Sequence, residues 1–275
     1  MRTKAQWLQK SLEFFEHMKA EDKPYEIMVH GKPLVVLPNV FSPKYSEDSK
    51  VFSREVPKLV SGKSLLEIGT GTGIVALHAS LRGAKKIVAT DINREAVRNA
   101  KANFRKYGLK ASIRHGSLFK PIKKGEKFDI IFWNHPFNRT SYKTKDILLR
   151  SGLDHNYADL KGYFMEAKKH LTTSGMVLLG TGSIARISEV RRIAKAAGYM
   201  PQLLHREPTS FEAGGRLHID SLLFSFAPVR TQSFRRVKVC TFHSLWNTKV
   251  YEGYSISRAT RHRQDYFISG LCQTD

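Results

Sequence analysis

The stretch SLLEIGTGTGIVALHAS, residues 64–80, sets three glycines and an acidic residue between an apolar run and an amphipathic one. SLLEI (64–68) reads as a buried strand, and IVALHAS opens a helix that runs to about residue 82. A strand ending in glycines at a helix N-terminus presents bare backbone N–H groups to a ligand. Gly69, Gly71 and Gly73 follow a GxGxG spacing, and Ile74 stands where the dinucleotide fingerprint GxGxxG has its last glycine. A pyrophosphate ligand is disfavoured. Asp91, 22 residues after Gly69, sits at the tip of the next strand, from which a carboxylate can grip two ribose hydroxyls.

Outward from the turn, strand and helix alternate to about residue 200. Strand 86–91 precedes the helix NREAVRNAKANFRKYG; ASIRHG and FDIIFW (128–133) are strands, and a loop of some twenty residues follows. The helix ADLKGYFMEAKKHL, with Leu160, Tyr163, Phe164, Ala167 and Leu171 on one face, leads to strand GMVLLG and helix RISEVRRIAKAAG. Two last strands, near 202–206 and 218–226, have no helix between them and should pair antiparallel. The alternation predicts an α/β fold, a doubly wound, seven-stranded, mostly parallel sheet with an antiparallel last strand. Ahead of it, Trp7, Leu8, Leu12, Phe14, Phe15 and Met18 recur at helical spacing, a helix docked on the core or lining a cleft. YEIMVHGKPLVVL (25–37) reads as a hairpin. The expected organisation is an N-terminal helix, hairpin and covering segment (1–60), a catalytic domain (61–227) and a basic appendage (228–275) of weak order.

The 275 residues carry a net charge of +22, from 46 basic and 24 acidic residues. Residues 228–275 hold eight of the basic and three of the acidic ones, which leaves residues 1–227 at +17. Such a balance favours a polyanionic partner, nucleic acid or a nucleoprotein particle. No apolar run approaches the roughly 20 residues needed to span a bilayer, so no membrane insertion is expected. Glu13, Glu16, Glu21 and Asp22 interrupt any signal peptide at the N-terminus. The two cysteines, Cys240 and Cys272, form neither a zinc nor a redox motif. A reducing compartment, cytoplasm or nucleus, is the expectation. The histidines show no ligand spacing, and no metal is assigned.

LLEIGTGTGIVAL followed by IVATDINREAVRNAKANF resembles the S-adenosylmethionine-binding half of the class I methyltransferases, which are Rossmann-like. Residues from about 25 to 227 resemble their small-domain (MTS) family, which includes rRNA and tRNA N-methyltransferases and release-factor glutamine methyltransferases. The resemblance implies that S-adenosyl-L-methionine is the cofactor. Glu67, Gly69 and Gly71 would line its methionine end, with Thr70 and Gly73 in the same turn. Thr70 and Thr72 offer hydroxyls, or serve the turn alone. Asp91 would bind the ribose, and Ile92 would pack on the adenine. Ser117 stands where the family usually has an acidic residue for the adenine amino group; a hydroxyl accepts that hydrogen bond less strongly.

FDIIFWNHPF places Asn134, His135, Pro136 and Phe137 at the carboxyl end of a strand, where ligands of doubly wound folds bind. It resembles the family's Asn-Pro-Pro-(Tyr/Phe) motif, with histidine in place of the first proline. An exocyclic amine or carboxamide nitrogen has a delocalised lone pair and is a poor nucleophile. Two acceptors, the Asn134 side-chain oxygen and the His135 carbonyl, can hold its N–H bonds and stabilise the charge that develops. Phe137 offers a stacking face. The His135 imidazole is expected to be exposed and idle. YSEDSKVF resembles the segment that folds over the cofactor and nominates Asp48 and Ser49, and the basic loop 138–158 would rim the pocket. The reading is an N-methyltransferase acting on a planar amino group, RNA before DNA. The alternatives are a protein glutamine methyltransferase and a catalytically weak protein that binds cofactor and nucleic acid.

Overall fold

The computed structural model describes residues 3–213 and 215–228, which belong to one compact unit. The expected appendage, with Cys240 and Cys272, lies beyond Pro228 and outside the described residues.

Seven strands form the central sheet: β3 (Ser64–Ile68), β4 (Lys86–Asp91), β5 (Ser112–His115), β6 (Phe128–Asn134), β9 (Leu171–Gly182), β10 (Tyr199–Glu212) and β11 (Arg216–Pro228). Their order is β10-β11-β9-β6-β3-β4-β5, and β11 runs antiparallel to both of its neighbours. The expected doubly wound sheet is present, closed by an antiparallel hairpin. Strand order reverses between β3 and β6, where Ile68 pairs with Trp133. A crevice opens at that point, and the two motifs flank it.

β3 is buried at every position because both faces of the sheet are covered. On one face Ile131 and Trp133 pack with Leu160, Tyr163 and Phe164 of α5 (Ala158–Ala167) and Ile193 of α6 (Ile187–Ala196). On the other, Ile130 and Phe132 meet Phe52 of α2 (Asp48–Glu55), Val75 of α3 (Ile74–Leu81) and Phe104 of α4 (Arg94–Lys106). Tyr163 ties the layers together, its hydroxyl serving the carbonyls of Ile131 and Leu178.

The hairpin of β1 (Tyr25–Val29) and β2 (Lys32–Val36) docks on α4 through two asparagines one turn apart. Asn99 and Asn103 accept from the N–H groups of Leu37 and Val35, and both donate to the Val35 carbonyl. A helix thereby pairs with a strand edge. Asn103 also donates to the Thr72 carbonyl at 2.9 Å, inside the glycine turn.

α1 (Lys4–Lys19) starts with a capping box between Thr3 and Gln6. Its Phe14, Phe15 and Met18 pack against Phe211, Leu217 and Ile219 of the terminal hairpin. Residues 138–158, read as a plain loop, contain a parallel pair, β7 (Asn138–Thr140) with β8 (Leu153–His155). Three-residue strands are too short to leave a periodic signal. The last two strands are also far longer than their sequence signal.

Candidate functional site

The chain leaves β3 through a turn in which Gly69, Gly71 and Gly73 all have left-handed φ, at +64°, +56° and +82°. A Cβ on Gly73 would lie 2.9 Å from the Cβ of Ala100, so this glycine lets α3 approach α4. A Cβ on Gly71 would meet nothing within 4 Å, and its backbone is open to a ligand. Glu67, 3% exposed, is bonded inside the turn by the Thr70 hydroxyl (2.7 Å) and the Ala76 N–H (3.2 Å). Of the two threonine hydroxyls nominated for a ligand, that of Thr70 is engaged by Glu67. Burial pushes the Glu67 carboxyl up to about 8, against the pull of those two donors.

Asp91 ends β4 and bridges two elements. One oxygen accepts from the Gly71 N–H at 2.9 Å, the other from the Asn93 N–H at 2.8 Å. Each oxygen keeps a lone pair for a further donor. Burial raises its pKa, and the Gly71 and Asn93 amides oppose the rise. Ile92 and Ser117 border the same pocket.

Across the crevice, Asn134 Nδ2 donates to Asp48 Oδ2 at 2.7 Å, while its Oδ1 is buried with no hydrogen-bond partner. Asp48 is 2% exposed and also bonded by the Ser46 hydroxyl. Burial raises its pKa, and the Ser46 and Asn134 donors counter that rise. Ser49 borders the pocket beside it. Because Nδ2 is engaged, Oδ1 is the atom Asn134 has left for a ligand. An acceptor held this way suits an N–H donor, not an anion.

His135 departs from expectation. Its side chain is 1% exposed, not a solvated loop histidine. The backbone N–H reaches the Gly180 carbonyl (3.3 Å), and Nε2 lies 2.9 Å from Thr181 Oγ1. Both contacts draw the imidazole against the end of β9, where Trp133, Phe137 and Tyr157 enclose it. Neither β9 nor Tyr157 is near it in sequence, so the pattern gave no sign of this cover. Burial pulls its pKa down to about 3, leaving the ring neutral. Tyr157 also steadies the motif, donating its hydroxyl to the Phe137 carbonyl at 3.0 Å.

One pocket joins Gly69, Thr70, Gly71 and Thr72 of the turn, Asp91 and residues 134–137, so the nominated residues come together except Gly73, which does not line it. Pro136 and Phe137 border it too, beside a wall made by Phe14 and Phe15 of the helical stripe together with Ser11, Phe41 and Phe211, which the sequence did not nominate. Phe14 packs on Phe41 and Phe211 at centroid distances of 5.7 and 5.6 Å. Ser11 accepts from Asn138 Nδ2 (3.0 Å), and Lys19 pairs with Asp146 (2.8 Å), fixing α1 to the basic loop. Among the described residues no group of three or more His, Cys, Asp or Glu is placed to hold a metal, and no helix is long and apolar enough to cross a membrane.

The methyltransferase small domain family model matches residues 32–190. A protein of Methanocaldococcus jannaschii, provisionally assigned as a protein N5-glutamine methyltransferase, is 31% identical over 190 residues, covering 68% of this chain and 94% of its own. The tRNA1(Val) (adenine(37)-N6)-methyltransferase of Cytophaga hutchinsonii is 35% identical over 104 residues, 37% of this chain and 44% of its own. Among solved structures, the T. thermophilus 16S rRNA N2 G1207 methyltransferase, in complex with AdoMet and guanosine, aligns with a TM-score of 0.54. That alignment covers 76% of this chain and 50% of the other at 19% identity, a likeness of fold.

Proposed function

The chain belongs to the methyltransferase small domain family, whose cofactor is S-adenosylmethionine, and from that premise we propose that it N-methylates the exocyclic amine of an RNA base. The observation that carries the N-methylation is the fixed amide of Asn134. With Nδ2 on Asp48, its buried Oδ1 faces no partner of its own and can accept an N–H from a planar amine. That contact orients the nitrogen lone pair and stabilises the positive charge that grows on it. The His135 carbonyl is the second acceptor, and Phe137 the stacking surface. No strong base is needed, since the proton can leave after transfer.

The cofactor's chemistry is an electrophilic methyl group on a sulfonium. The residues that would hold it fit its groups. Asp91 retains two acceptor positions for the ribose hydroxyls, and Gly71 has no atom in the way. Glu67 is the nearby carboxylate for its cationic end. Ile92 and Ser117 border the place left for the adenine, and Gly69, Thr70 and Gly73 shape the turn.

RNA as the substrate is supported by the +17 of residues 1–227 and by Arg139, Lys143, Lys145 and Arg150 in the loop that follows the motif. A relative that acts on tRNA adenine agrees with it. A protein glutamine is the second reading, favoured by the Methanocaldococcus relative, whose length this chain nearly covers. The deciding experiment is transfer of a labelled methyl group into total RNA and total protein, each digested separately. Label that survives ribonuclease and is lost to protease would replace the first reading with the second. RNA binding should also weaken steeply with salt through counterion release.

A further inference from the structure

The pocket is lined with acids in a chain of net charge +22. Asp48, Glu67, Asp91 and Asp159 border it, and among the described residues Arg150 is the one Lys or Arg that does. Carboxyl groups offer a phosphate no counter-charge. A nucleotide that inserts its base here has one cation at the pocket itself to neutralise its backbone.

Arg150 is built in beside the second motif. Asn138, the residue after Phe137, donates its backbone N–H (3.1 Å) and its Nδ2 (3.2 Å) to the Gly152 carbonyl, where β7 meets β8. The Gly152 N–H donates to the Leu149 carbonyl (3.0 Å), closing the 3-10 turn Leu149–Ser151 that carries Arg150. Asp146 fixes that turn, accepting from the Leu148 and Leu149 N–H groups at 2.9 and 3.1 Å. Arg150 itself is held loosely. Its guanidinium has one described partner, Asp159 Oδ2 at 3.4 Å, beyond the usual limit of about 3.2 Å. Asp159 is anchored through its backbone, since the Asp154 carboxylate accepts from the N–H groups of Asp159 and Leu160 at 3.2 and 2.9 Å. The two side chains are 33% and 39% exposed, within reach of a partner from solvent. Most of the Arg150 N–H donors are left over, in the planar fork that matches two phosphate oxygens.

We propose that Arg150 anchors a phosphate next to the target nucleotide, whose base lies in the pocket against Phe137. In the free protein Asp159 keeps the fork at the rim. The phosphate replaces that long contact with two shorter, charge-assisted hydrogen bonds. The proposal rests on the base-methylation reading and adds to it the point at which the RNA backbone is gripped. It also gives Asp159 a sign: this carboxylate competes with the RNA for Arg150.

The test uses the full-length protein with S-adenosylhomocysteine and short oligouridylates carrying one adenosine, cytidine or guanosine. In each, the phosphate on the 5′ or the 3′ side of that nucleotide is replaced, one at a time, by an uncharged methylphosphonate. Fluorescence anisotropy reads the dissociation constant. The wild type should lose about three- to tenfold in affinity at one of the two positions, a charge-assisted contact reduced by its partial exposure. Arg150→Gln should bind the unmodified RNA weaker by a similar factor and be indifferent to the replacement, as the two changes remove one interaction. Its dependence of log affinity on log salt should be shallower by about 0.7, the share of one phosphate on a single strand. Asp159→Asn should bind the unmodified RNA tighter than the wild type. No loss at either position in the wild type, or an equal loss in Arg150→Gln, overturns the proposal. So does a fall in S-adenosylmethionine affinity in Arg150→Gln with the phosphate preference intact, which gives the side chain to the cofactor. Labelled methyl transfer to a glutamine peptide and to none of the oligonucleotides is a different failure, which removes the base reading and the proposal with it.

Discussion

Asn134 and Asp48 lie 86 positions apart in sequence and 2.7 Å apart in space, joined by the Asn134 amide. The carboxylate fixes which way the amide faces, since only its NH2 side can donate to it. A flipped Asn134 would set oxygen against oxygen at Asp48 and leave a donor where the unpartnered Oδ1 now stands. The covering segment thus sets the polarity of the acceptor, and it is the first residue of α2, not the motif, that determines it.

Asn134→Ala removes that acceptor. Turnover should fall by about 10²–10³-fold, the loss typical of a pre-organised charge-stabilising group. S-adenosylmethionine affinity, measured by calorimetry, should stay near the wild-type value. Asp48→Ala should reproduce part of the turnover loss with Asn134 intact.

Asp91→Ala should weaken S-adenosylmethionine binding by about 1.5–3 kcal/mol, the range for hydrogen bonds to a charged group. It also deprives the Gly71 and Asn93 amides of their partner. Unchanged affinity in a folded variant would remove Asp91 from the site.

Glu67 gives a pH signature. Its carboxyl titrates near 8 when folded and near 4.5 when unfolded, so between those values the folded state binds the extra proton. Stability of the free enzyme should therefore fall as pH rises through that window and level off above about 8. A nearby cationic ligand favours the ionised form, so affinity for S-adenosylmethionine should rise with pH over the upper part of the window. Glu67→Gln should flatten both trends, read from melting temperature and from calorimetry.

The glycines of the turn should separate by role. Gly73→Ala puts a Cβ 2.9 Å from that of Ala100 at a left-handed φ, which should cost about 2–4 kcal/mol of folding stability. Gly71→Ala meets open space and should cost about 1–2 kcal/mol of stability, from its left-handed φ alone. Its larger effect should fall on cofactor affinity. Denaturant melts and binding isotherms on the two variants make the comparison.

The sheet was legible because its signals are local: apolar runs of strand length, glycines at one turn, and helices with one apolar face. The positions of Gly69, Asp91 and Asn134 followed from where those strands end. What the sequence did not carry was cover. The His135 side chain looked exposed because loop residues usually are, yet Thr181 and Tyr157 enclose it from distant segments. Asp48 was nominated for the cofactor, and its contact with Asn134 had no local signature. The role of Asn103 was equally hidden, since an asparagine within a helix says nothing about a strand edge 68 positions earlier.

The wall that α1 builds has a consequence in time. Ser11 waits for Asn138, 127 positions downstream, and Phe14 waits for Phe211 in the terminal hairpin. As the polypeptide emerges from the ribosome, the glycine turn and Asp91 are complete long before either partner of α1 has been made. The turn and Asp91 can thus assemble on the nascent chain, while the wall that α1 builds closes last. A chain stalled before the hairpin would hold the glycine turn without the Phe211 side of that wall.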